Sequence, residues 1–184
     1  MIGITNDEAK TALSSMGLRC AETQLSFPDS TRSTIQVALR GMQEPHQLVY
    51  LARLLAHLTY DEIHFSSARL WITTWGVWDQ LEEAIAFKTF ENFRRCYGEN
   101  RSIEAAPATY FRHDQFVESA CCLLQPMLVG WDAYYVPTWA YGHLDYFIAV
   151  SHDGFADIEV RTPDMHEQVT KLLSDHEWIK PLIR

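Results

Sequence analysis

Residues 144–160 run LDYFIAVSHDGFADIEV. Leu144 to His152 and Phe155 to Val160 are rich in aromatic and β-branched residues, the composition of strands that pack on a pleated surface. Asp153-Gly154 stands between them, and such a pair suits a two-residue type I′ turn because both positions tolerate positive φ. That turn predicts a hairpin in which His152 faces Phe155, Val150 faces Asp157, Ile148 faces Glu159 and Tyr146 faces Arg161. The opposite face then holds Phe147 and Ala149 with Ile158 and Val160. Being consistently apolar, it is expected to pack on helices.

The neighbouring segments extend this reading. After the hairpin, Thr162 is a cap, Pro163 suits a first helical position, and Met165, Val169, Leu172 and Leu173 form a core stripe. Before it, Met127 to Val136 reads as a strand, and Pro126 closes a helix from Asp114 to Leu124 whose inward residues are Phe116, Val117, Ala120, Cys121 and Leu124. A helix opened by Asp79 and Glu82 runs to about Tyr97, with Arg94-Arg95 favouring its negative end. Ala68 to Trp75 reads as a buried strand, and Pro45 starts a helix carrying Leu48, Leu51, Ala52 and Leu55. Asn100 to Arg112 is ambiguous, with Pro107 arguing against a central strand. Nearer the N-terminus, Glu22 to Phe27 and Thr34 to Arg40 form a plausible hairpin about Pro28-Asp29-Ser30. The alternation of Ile35, Val37 and Leu39 suits an edge strand able to pair between subunits. Thr5 and Glu8 match a capping box before a helix that Gly17 ends. The expected fold is α+β: an antiparallel sheet built from hairpins, packed on one side by about four to five amphipathic helices, in a single globular domain over residues 1–184.

Composition bounds the function. The 184 residues are 47% hydrophobic and 21% charged, which supplies a core and excludes a disordered chain. Fifteen basic and 24 acidic residues give a net charge of −9. No Lys/Arg cluster exists for phosphate contacts, so nucleic acid is not an expected partner. No apolar run approaches the roughly 20 residues that span a bilayer, and no leader is visible, so a cytoplasmic protein without a membrane partner is expected. The four cysteines show no metal-ligand spacing, and no cofactor is expected. Cys121 and Cys122, adjacent in an apolar run, read as small core hydrophobes.

Candidate chemistry concentrates in the last third. Between His113 and Val160 there is no Lys or Arg, against Asp114, Glu118, Asp132, Asp145, Asp153, Asp157 and Glu159. The same stretch carries Trp131, Tyr134, Tyr135, Trp139 and Tyr141. An acidic surface with aromatic anchors suits a basic protein partner, and the reading is a non-catalytic interaction protein, similar in charge and size alone to small acidic inhibitors of basic enzymes. The alternative is a small-molecule site or enzyme with an aromatic-lined cleft around Trp131, Asp132, His143 and Asp145, with His113 or His143 carrying protons. His143 and Asp145 share a strand face, but two ligands do not make a metal site and none is expected. Ser151-His152-Asp153 has the letters of a catalytic triad in the wrong geometry, since successive strand residues point to opposite faces. No catalytic residue is assigned.

Overall fold

The computed structural model describes the chain except residues 22–23, 29–32, 40–41, 43, 57, 59–65, 74–80, 140–143, 180 and 184; the side chains of 45, 66, 81–84, 138–139 and 181–183 also lie outside the described set. The elements in chain order are β1 (Ile2–Ile4), α1 (Asn6–Ser15), β2 (Arg19–Ala21), β3 (Gln24–Ser26), β4 (Ser33–Ala38), α2 (Pro45–Ala56), β5 (Ser66–Ile72), α3 (Leu81–Arg95), β6 (Ala108–Phe111), α4 (Phe116–Val129), β7 (Ala133–Trp139), β8 (Tyr146–Ser151), β9 (Phe155–Val160), α5 (Pro163–Ser174) and β10 (Pro181–Ile183). The fold is α+β. Eight strands form one sheet in the order β1-β6-β5-β7-β8-β9-β4-β10, every neighbouring pair antiparallel, and β2-β3 forms a small second sheet.

Alternation along the strands divides the main sheet into two faces. The first carries Leu70, Tyr135, Ile148, Ile158 and Ile35. Against it pack Leu51 and Leu55 of α2, Phe90 of α3, Cys122 and Leu123 of α4, and Val169 and Leu173 of α5. The second face carries Trp71, Ala108, Val136 and Phe147, covered by Ala9 and Leu13 of α1 and by Leu25 and Phe27. Toward β9 and β4 this second face turns polar: Thr34 donates to Glu159 (3.0 Å) and Gln36 to Asp157 (2.8 Å).

Several local signals read from the sequence hold. Thr5 and Glu8 make a reciprocal capping box on α1, and Thr162 accepts from the Met165 amide at the start of α5. Others are corrected. The β8–β9 loop has three residues, His152-Asp153-Gly154, because Ser151 rather than His152 faces Phe155. Gly154 takes a positive φ (+86°) as the third residue of this loop, where its lack of a Cβ makes that conformation inexpensive. The register therefore moves by one residue: Ile148 faces Ile158, Phe147 faces Glu159 and Ala149 faces Asp157. The helix-covered face is Tyr146-Ile148-Val150 against Ala156-Ile158-Val160, not Phe147-Ala149 against Ile158-Val160.

The N-terminal hairpin is also different. β3 pairs with β2, while β4 lies inside the main sheet between β9 and β10, so Ile35-Val37-Leu39 is not an edge. β6 begins directly after Pro107 and is central, between β1 and β5. Pro107 precedes the ladder, so its missing N–H removes no strand bond. α4 continues through Pro126 to Val129 and stops at Gly130, whose φ of +73° is the left-handed cap. Residues 127–129, expected in a strand, therefore belong to this helix. Pro126 is buried, and burial of its ring and of Met127 opposes the cost of the lost helical hydrogen bond. The inward face of α4 is Ser119, Cys122, Leu123, Pro126 and Met127; Val117 and Cys121, expected inside, are exposed.

Candidate functional site

The second face of the sheet holds a cleft of about 280 Å³, lined by Gln24, Thr73, Asp132, Tyr134, Ala149, Val150, Ser151 and Asp157. Strand parity explains the convergence. Thr73 follows β5, Asp132 immediately precedes β7 and alternates with Tyr134, Ala149 and Ser151 alternate along β8, and Asp157 faces Ala149 from β9. All these alternating positions project to the same side, and Gln24 of the small hairpin stands beside them.

Asp132 is the most constrained member. Its carbonyl accepts from the Thr73 amide (2.9 Å) and hydroxyl (3.1 Å). Its carboxylate accepts from the His152 amide at 2.8 Å, and His152 Nδ1 lies 2.9 Å from both carboxylate oxygens. An ionised carboxylate only accepts, so Nδ1 carries the proton in this pair. The adjacent Asp153 Oδ1 is 3.6 Å from Nε2. His152 is thus held by Asp132 across the sheet, and Ser151 Oγ accepts from the Asp153 amide (3.2 Å). The backbone and ring bonds together make Asp132 a clamp on the hairpin turn.

Asp157, the second carboxylate of the cleft, accepts from Gln36, a side chain only 4% exposed. Burial raises the Tyr134 phenol above its ordinary pKa, partly opposed by a hydrogen bond with the Leu25 backbone, so the ring meets the cleft as a neutral phenol. Trp71 and Phe147 pack against it, with ring centroids 5.9 and 6.1 Å away. None of the described lining residues is a Lys or Arg.

The candidate residues separate into four groups. Asp132 and Tyr134 line the cleft. Trp131 and Tyr135 belong to the core on the other face, which removes them as surface anchors. Trp131 is fully buried and edge-on to Phe87 and Phe90 of α3, and its Nε1 has no hydrogen-bond partner among the described residues. Tyr135 is enclosed beside Ser119 (3.3 Å), and burial pushes its hydroxyl up to about 12. Trp139 is the last residue of β7, with its side chain outside the described set; Tyr141 and His143 also lie outside the described residues. Asp145 is half-buried at the far end of β8, where its carbonyl accepts from the Arg161 amide.

Asp132 is level with Ser151, and Asp145 lies six residues away along the same strand, about 20 Å at 3.3 Å per residue. A single cleft containing both does not form. His113 is exposed in the loop after β6, at the Asp145 end of the sheet. Among the described residues no three His, Cys, Asp or Glu side chains gather to hold a metal.

Gln24, Thr73 and Ser151 are not expected at a binding site from the sequence, and Asp157 enters there only as one of the seven acids. The pattern Asp157-Ile158-Glu159-Val160 did carry a signal: its acids alternate with core residues and so must leave the helix-covered face. No family model, curated protein or solved structure matches this chain.

Proposed function

We propose that the chain is a non-catalytic interaction protein whose acidic face receives a cationic side chain of a basic partner in the Asp132–Asp157 cleft. The observation that carries this reading is the cleft itself. Two carboxylates, a neutral phenol, and hydroxyl and amide groups converge there, with no described cation among them. A guanidinium or ammonium entering such a site gains charge-assisted hydrogen bonds. Asp153, exposed on the adjoining turn, adds to the negative field that draws a basic surface toward it. Among the described residues Tyr134 supplies the aromatic contribution, and the polar groups around it form the recognition element.

The small-molecule alternative retains Asp132 and Tyr134 but loses Asp145 to distance and Trp131 to the core. Native mass spectrometry of protein purified at low salt from its own cells tests the choice. The expected result is a stoichiometric basic protein that dissociates as salt rises and is not retained by the Asp132→Asn/Asp157→Asn variant. Retention of a small molecule instead, or a partner whose binding ignores both salt and those substitutions, contradicts the reading.

A further inference from the structure

The outer side of α4 is apolar where it meets solvent. Of its fourteen residues only Glu118, Ser119 and Gln125 are polar, and a helix apolar all round is ordinarily enclosed all round. Its inner side is enclosed by the sheet. On the outer side Val117 is 67% and Leu128 53% exposed, with Cys121 also exposed and Leu124 half-buried. Positions 117, 121, 124 and 128 follow one another at spacings of four, three and four, the repeat of a two-stranded coiled-coil seam. On one side of this seam Val49 and Arg53 of α2 join Val117, Cys121 and Leu124 around an apolar groove of about 360 Å³.

The charges beside the seam have opposite signs. Arg53 stands on the α2 side. Glu118 lies about 100° around the helix from Val117, on the side facing Tyr97 and the Met1 amine. Neither Arg53 nor Glu118 makes a hydrogen bond or ion pair among the described residues.

We infer that a second copy of the chain closes this seam, in a two-fold pair with the two α4 helices parallel. Two molecules of charge −9 repel, so they meet best where acids are sparse, and the described groove lining holds no acid and one arginine. A two-fold contact also has to complement itself. With the axis along α4, each seam position meets its own copy and the flanks exchange sides. Arg53 then faces Glu118 of the partner subunit. The antiparallel arrangement would set Arg53 against Arg53 of the partner subunit. The Asp132–Asp157 cleft lies on the opposite side of the sheet and stays open in this dimer.

Sedimentation equilibrium on the full chain tests the pairing, with circular dichroism verifying the fold of each variant. The expected species has twice the 21.3 kDa chain mass. Val117→Asp and Leu128→Asp, both at exposed positions, are expected to weaken dimerisation about a hundredfold by burying an unpaired charge. Arg53→Glu or Glu118→Arg alone is expected to weaken it about tenfold, and the double reversal to restore it. In a Cys20→Ser/Cys96→Ser background, Cys121 is expected to cross-link between subunits under copper phenanthroline, because parallel pairing brings like positions within disulfide reach. A monomer up to millimolar concentration, or a dimer indifferent to Val117→Asp, overturns the inference. A dimer whose double reversal adds rather than rescues, or whose Cys121 does not cross-link, overturns the parallel pairing.

Discussion

Glu99 ties the loop after α3 to β1. Its carboxylate accepts from the Gly3 amide (2.8 Å), the Arg101 amide (2.9 Å) and the Arg101 guanidinium (2.9 and 2.8 Å). The Arg101 bonds hold its pKa at about 2 against the opposing effect of burial. A carboxylate depressed in the folded state stabilises fully above its unfolded pKa, near 4.5. That contribution is lost as pH falls from about 4.5 toward about 2. Glu99→Gln is therefore expected to cost about 2 kcal/mol at neutral pH and to flatten the acid limb of a urea-denaturation series over that window. An unchanged acid limb contradicts the assignment. Gly3 depends on the same contact: a Cβ there would overlap the Glu99 carboxylate and lie 2.9 Å from Arg94 Nη2. Gly3→Ala is expected to destabilise by about 1–3 kcal/mol in thermal melts, with β1 displaced from β6. Arg94, read from sequence as a cation favouring a helix end, is 1% exposed, and burial lowers its pKa. Residue type alone did not reveal that burial, because long cations usually keep their heads in water.

The β8–β9 hairpin shows what one residue of register decides. Strand positions, turn location and the alternation of acids with Ala156, Ile158 and Val160 were legible in the sequence. Pairing was not, because Asp153-Gly154 is compatible with two loop lengths, and the register that sets Ser151 opposite Phe155 distinguishes them. The Asp132 clamp on His152 comes from another strand and left no local signal. Ile148 and Ile158, directly opposed on the helix-covered face, are expected to couple by about 0.5–1 kcal/mol in an alanine double-mutant cycle; a coupling near zero would favour the alternative pairing. Gly154→Ala, at a φ of +86°, is expected to cost about 1 kcal/mol in denaturant unfolding. For α4, periodicity identified the helix but not its phase. Both sides are apolar, so the sequence pattern did not distinguish the buried stripe from the exposed one. Pro126 reads locally as a stop, whereas tertiary packing carries the helix past it.

Across the whole molecule the two faces of the sheet carry different chemistry. Four helices and a continuous apolar core occupy one side; α1, the small hairpin and the polar cleft occupy the other. Among the described residues no helix is long and apolar enough to cross a membrane. The acids between residues 113 and 160 were evident from the sequence, but only the fold shows which of them converge. Asp132 and Asp157 meet at one cleft, while Asp145 sits at the other end of β8. The most direct test of the proposed cation site is an NMR titration of the full chain with a short arginine-containing peptide. The expected amide shifts concentrate at Gln24, Thr73, Asp132, Ser151 and Asp157, are weakened by salt, are absent with a citrulline-substituted peptide and are lost in Asp132→Asn/Asp157→Asn. Shifts that are absent, spread evenly over the acidic surface, or retained in that variant would contradict the proposed site.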